Sequence, residues 1–148
     1  MKDTNTFESV KATFTEYLVK NQHRKTPERF AILEHIAEID GHFTAEVLYK
    51  NMQTNFRVSL ASVYNNLDLL TKTGLLTRHQ FGSHPAEYER TFHTNVHHHL
   101  VCSNCGKIKE FTDKNLKETI ESKNFNNFLP THFTLYIYGY CNKCKHIM

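Results

Sequence analysis

Two cysteine pairs, Cys102-Ser103-Asn104-Cys105 and Cys141-Asn142-Lys143-Cys144, carry the most specific chemistry in the chain. A C-x2-C turn can offer two thiolates to one metal ion, and two such turns complete the tetrahedral four-sulfur set of structural zinc. The separation, residues 106–140, leaves room for a strand, a helix and a strand before the chain returns to the metal. Four cysteines with none to spare leave no open position for catalysis at that ion. A redox pair and an iron–sulfur cluster are the rival readings, although neither pair begins a helix. A second signal lies just upstream, in the run His97-His98-His99. In an extended segment His97 and His99 share a face and His98 takes the other. Glu110, on the following strand, can approach the first pair, and such a mixed set suits iron(II), manganese or zinc. The plain alternative is a polar strand end.

The totals fit this reading without demanding it. The chain has 148 residues, with 18 Lys and Arg against 15 Asp and Glu, and residues 1–90 are balanced. A basic surface there must come from placement. The start, Met1-Lys2-Asp3-Thr4-Asn5, lacks the apolar stretch of a secretory signal, and no apolar run is long enough to span a bilayer. A cytoplasmic protein is expected. In a reducing compartment four cysteines and 11 histidines point to metal or catalysis, not to disulfides.

The elements that must position these groups fall into two sets. Phe7, Val10, Phe14, Tyr17 and Leu18 recur at helical spacing. Thr26-Pro27-Glu28 reads as a helix start, followed by the apolar Ile32, Leu33, Ile36 and Ala37. Thr44-Ala45-Glu46 opens a third helix with Val47, Leu48 and Met52. Ser59 caps a fourth, whose buried stripe is Leu60, Val63, Leu67 and Leu70 and whose outer face offers Ser62, Asn65 and Asn66, with Tyr64 at the margin. Gly74 ends it. Leu75 to Phe81 and Ala86 to Arg90 then read as a hairpin, which gives the order of a winged helix. Beyond His97, Lys107 to Phe111 reads as a strand, Asp113 to Lys123 as a helix with Leu116 and Ile120 inward, and Phe133 to Tyr138 as a strand. A unit this small needs a staple, a partner subunit, or both. The expectation is an α+β chain: a winged-helix DNA-binding domain over 1–90, a hinge over 91–97, and a small α/β dimerisation and metal-binding domain over 98–148.

Taken in order and spacing, the motifs resemble the ferric uptake regulator (Fur) family over roughly residues 24–144. The resemblance rests on Arg24-Lys25-Thr26-Pro27-Glu28-Arg29, His42-Phe43-Thr44-Ala45-Glu46-Val47-Leu48-Tyr49, Leu60-Ala61-Ser62-Val63-Tyr64, Tyr88-Glu89, His97 to Lys107, and Leu135 to Cys141. It implies a homodimeric, non-enzymatic repressor of double-stranded DNA operators that carry inverted repeats, active when a divalent metal is bound. The family's regulatory ligands fall on His42, Glu89, His97, His99 and Glu110, with structural zinc at Cys102, Cys105, Cys141 and Cys144. Peroxide-sensing relatives tend to have Asp at the places of Glu89 and Glu110, so an iron-type sensor, answering to iron(II) or a similar divalent metal, is expected over a peroxide sensor. Haem, zinc, manganese or peroxide, or DNA binding indifferent to metal, form the alternative.

Three departures from the family pattern stand out. An auxiliary metal site found in many members maps onto Val96, His98, Lys117 and Phe133, with His132 one residue out of register, and is expected to be absent or altered. Asn65 stands where an Arg is usual after Tyr64, and asparagine suits adenine where arginine suits guanine or a phosphate. One extra residue lies between Glu89 and His97. On the family's pattern Ser62 and Tyr64 lie against bases and Arg24 reaches a minor groove, while Arg57, Lys72 and Arg78 are candidate phosphate contacts. A metal-dependent hydrolase and a metal-storage module are the rival classes. No H-E-x-x-H or nucleophile–base constellation supports the first, and the helix from Ser59 with its hairpin argues against the second.

Overall fold

The computed structural model describes residues 2–54, 56–93, 96–130 and 132–147, with the side chains of 2–6 left aside. It divides into two compact units, Met1–Thr94 and Asn95–Met148. The division falls inside the stretch 91–97 where a hinge is expected.

The first unit contains α1 (Lys2–Lys20), α2 (Pro27–Ala37), α3 (Ala45–Met52), α4 (Leu60–Lys72) and a hairpin of β1 (Leu76–His79) and β2 (Glu87–Arg90). Three helices start on side-chain caps: Thr26 accepts from Arg29 N–H, Thr44 from Val47 N–H and Ser59 from Ser62 N–H. Each cap satisfies an amide that has no partner within its helix. Gly74 ends the fourth helix unit at φ +83°, a left-handed conformation open to glycine at little cost. The apolar stripes meet in one core that includes Phe14, Leu18, Ile32, Leu33, Ile36, Leu48, Met52, Val63, Leu67 and Leu70. The hairpin adds Leu76 and Tyr88 to that core.

An isolated antiparallel bridge between Phe43 and Tyr88 ties the segment before α3 to β2. It sets His42 beside the hairpin. The strands are shorter than the alternation of their residues implies, because pairing stops at His79 and resumes at Glu87.

The second unit is a sheet in the order β4-β3-β5, with β3 (His98–Cys102) between β4 (Ile108–Phe111) and β5 (Tyr136–Gly139). β3 runs antiparallel to β4 and parallel to β5. The parallel pairing requires a crossover, and α5 (Lys114–Glu121), capped by Asp113, lies within it. Two expectations need correction here. α5 ends at Glu121, and Leu116 and Ile120 are half-buried, so the helix has no buried residue. The last strand begins at Tyr136, three residues later than the alternation from Phe133 suggests. Phe133 instead packs its ring on His98, with centroids 5.6 Å apart.

Candidate metal centres and nucleic-acid interface

The four cysteines come together because β3 and β5 are parallel neighbours. Cys102 pairs with Gly139, so the turns that follow the two strands lie side by side. Gly106 closes the first turn, donating its N–H to Cys102 O at 3.0 Å, and Cys144 N–H closes the second on Cys141 O at 2.9 Å. The four sulfurs lie within 4.8 Å of one another. Cys105 and Cys141 sulfurs are 3.8 Å apart, too far for a disulfide. A tetrahedral zinc with Zn–S of about 2.3 Å puts its sulfurs about 3.8 Å apart, so the donor set fits that ion.

The protonation pattern also fits a cation. Amide N–H groups of Cys105 and Cys141 stabilise the Cys102 thiolate and bring its pKa down to about 6. At Cys144 the Asn104 amide, 3.2 Å from the sulfur, favours the thiolate, but burial and the neighbouring sulfurs outweigh it and push the thiol up to about 11. Four crowded sulfurs resist full ionisation until a positive charge is supplied.

The sequence-derived regulatory residues appear as two groups, one in each unit. In the first unit His42 Nε2 lies 3.1 Å from Glu89 Oε2, and His42 Nδ1 lies 3.2 Å from Glu87 Oε2. The other Glu89 oxygen, Oε1, is 3.0 Å from Nε2 of the buried His79. Sequence reasoning missed Glu87 and His79. The signal was present, since Glu87 and Glu89 alternate on one strand face and His79 is the cross-strand partner of Glu87.

In the second unit His99 pairs with Glu110 across β3 and β4. His97 Nε2 lies 3.7 Å from Glu110 Oε1, and the His97 and His99 rings are 5.1 Å apart. His98 takes the opposite face, with its ring 5.2 Å from that of Phe111 and close to Phe133. Neither phenyl ring can ligate a metal, so these two neighbours offer His98 no co-ligand.

The helix-turn-helix face is built from α3 and α4. Tyr64 is 43% exposed and donates its hydroxyl to Glu46 Oε1 at 2.8 Å. That hydrogen bond lowers the Glu46 carboxyl from its ordinary value and raises the Tyr64 phenol. Asn65, Arg24, Arg57 and Arg78 are exposed and Ser62 is half-buried. Lys72 pairs with Asp68 one turn earlier at 3.3 Å. Asn66 differs from expectation. It is 4% exposed, because steps of three and four from Val63 to Leu70 pass through position 66. Arg29 Nη1 donates to its side-chain oxygen at 3.1 Å, and its own amide donates to Ser62 O at 2.8 Å. Arg29 Nε also donates to Arg24 O at 2.9 Å, tying the segment before α2 to α4.

Residues 20–138 match the ferric uptake regulator family. The peroxide operon regulator of Bacillus subtilis is 36% identical over 132 residues, covering 88% of this chain and 90% of its own. A ferric uptake regulator from Pseudomonas aeruginosa, solved with manganese, aligns with a TM-score of 0.69 at 27% identity over 86% of this chain and 97% of that one. The Helicobacter pylori ferric uptake regulator, whose structure is described as revealing three functional metal binding sites, aligns with a TM-score of 0.68 over 95% and 94% of the two chains. At 23% identity that last likeness speaks for the fold alone.

Proposed function

This chain belongs to the ferric uptake regulator family, and from that premise we propose that it is a metal-responsive repressor whose two units share one regulatory ion. The observation that carries the reading is the pair of donor groups: His42 with Glu89 in the first unit, and His97, His99 and Glu110 in the second. Neither group is a full coordination set alone, and imidazole with carboxylate suits iron(II), manganese(II) or zinc(II). Held by ligands from both units, the ion supplies a positive charge that favours one orientation of the DNA-reading unit. Operator DNA favours that same orientation. Metal and DNA then strengthen each other's binding by a reciprocal coupling, typically about 1–3 kcal/mol.

The remaining roles follow. Cys102, Cys105, Cys141 and Cys144 hold a structural zinc that staples the second unit, which joins two copies into a homodimer. The dimer reads inverted-repeat, A·T-rich double-stranded DNA in the cytoplasm. Tyr64 and Ser62 face bases, Asn65 favours adenine, Arg24 enters a minor groove, and Arg57 holds a phosphate. These roles are those of a regulator and not of an enzyme. Among the described residues no helix is long and apolar enough to cross a membrane.

The test is anaerobic binding of the zinc-loaded protein to such DNA, titrated with iron(II), manganese(II) and zinc(II) and reversed by chelator. The expected result is metal-dependent, reversible binding that His97→Ala abolishes. Tight binding indifferent to both metal and His97 overturns the regulatory role of these ligands. A second reading, peroxide sensing, is favoured by the 36% identity to a peroxide operon regulator. Glu89 and Glu110 weigh against it. Dilute peroxide that releases the iron-loaded but not the manganese-loaded protein from DNA would decide for it.

A further inference from the structure

We propose that Glu87 and His79 are positioning residues that preset the first unit's half of the regulatory site, Glu87 by orienting His42 and His79 by orienting Glu89. The inference rests on the regulatory-metal reading above. It concerns two residues that lie outside the five-ligand set.

The hairpin register supplies the placement. His79 stands opposite Glu87, and Thr77 opposite Glu89, so His79, Glu87 and Glu89 share one strand face. The Phe43–Tyr88 bridge brings His42 alongside the same strand. Three polar contacts then form a chain, Glu87–His42–Glu89–His79, at 3.2, 3.1 and 3.0 Å. Aromatic packing stiffens it. The His42 and His79 rings stack at 4.9 Å, and Phe81 lies within 14° of parallel to both.

Each contact selects one atom for the metal. An ionised carboxylate can only accept, so Glu87 requires Nδ1 of His42 to be the donor. The lone pair available to a cation is then on Nε2, the atom that faces Glu89. Glu89 has two oxygens, and His79 occupies Oε1, which leaves Oε2 toward His42. The two selected atoms, His42 Nε2 and Glu89 Oε2, are 3.1 Å apart. Two ligands each about 2.1 Å from one ion lie about 3.0–3.4 Å apart for right-angled to tetrahedral geometry. A divalent ion can therefore sit between these two atoms without either side chain moving far. Hydrogen bonds behind metal ligands commonly set affinity by about 10–100-fold.

The test uses the full-length protein with its cysteine site zinc-loaded. Manganese(II) affinity is measured by calorimetry, and cobalt(II) is used as a spectroscopic probe. Glu87→Ala and His79→Leu should each weaken manganese binding by about 10-fold or more. His79→Leu should also lower the intensity of the cobalt d–d bands, because a released Glu89 can bind through both oxygens and raise the coordination number. Glu87→Gln still accepts from Nδ1 and His79→Gln still donates to Oε1, so both should recover most of the affinity. Glu87 is 30% exposed, so Glu87→Ala carries the test should His79→Leu fail to fold. Wild-type manganese affinity in Glu87→Ala overturns the inference. So does a loss in the Gln variants as large as in Glu87→Ala and His79→Leu, which marks a packing role. A wild-type protein that takes up no manganese or cobalt beyond its zinc is a different failure, since it overturns the regulatory-site reading and this inference together.

Discussion

Replacing Cys102 with serine, or stripping zinc with a strong chelator, should unfold the second unit and leave the first intact. The reason is how little apolar surface the second unit buries. Apart from the ligands Cys102 and Cys144, Val101 is the one apolar side chain among its described residues that is buried. A fully buried valine contributes about 1.5–3 kcal/mol. Ordering each residue of β3, β4 and β5 costs about 1–2 kcal/mol in backbone entropy. The apolar term loses heavily, so metal and a second subunit must supply the difference. Structural zinc contributes on the order of 10–16 kcal/mol in small zinc-folded domains. Serine removes the thiolate that amide N–H groups favour most, with its pKa near 6. The assay combines zinc content, sedimentation and amide exchange. Cys102→Ser should lose zinc, become monomeric and lose protection across β3, β4 and β5, while α2 to α4 keep theirs. A variant that stays dimeric, with the sheet protected and no zinc, refutes the reasoning.

Three further outcomes are expected. Leu67 is fully buried in the first unit's core, so Leu67→Ala should lower that unit's stability by about 2–5 kcal/mol, read as a shift in its urea midpoint. The Tyr64–Glu46 hydrogen bond needs an ionised carboxyl and a protonated phenol. It therefore persists from below 4.5, through neutrality, to above 10.0, and is lost outside that window on both sides. Glu46→Gln should bring the Tyr64 phenol back toward 10.0 in a spectrophotometric titration, and an unmoved phenol refutes the pairing. Arg29→Met removes the donor to buried Asn66 and should cost about 1–3 kcal/mol in thermal unfolding, with Asn66→Leu recovering part of the loss in the double variant.

Much of this protein is legible locally. The caps Thr26, Thr44 and Ser59 and the glycine at 74 mark helix ends through hydrogen bonds that span three or four residues, so they read directly from sequence. The cysteine pairs are equally local, since each turn closes on itself. The alternation of His97 and His99 against His98 follows from strand geometry alone. Family resemblance, and not spacing, brought His42 and Glu89 to attention.

What sequence could not determine depends on pairing between distant segments. Asn66 reads as an outward residue because it is polar; the helical steps from Val63 to Leu70 turn it inward, and only the packing shows that Arg29, on another helix, satisfies it there. Phe133 reads as the start of a strand, but pairing with β3 begins only at the level of His99 and Tyr136. Glu87 and His79 look like ordinary hairpin residues until the register sets them opposite each other and the Phe43–Tyr88 bridge brings His42 beside them. A residue's type and its near neighbours determine helix ends, turns and strand faces, because those interactions close within a few residues. Which polar group meets which across the fold is decided by strand register and helix packing, and only the tertiary structure contains those.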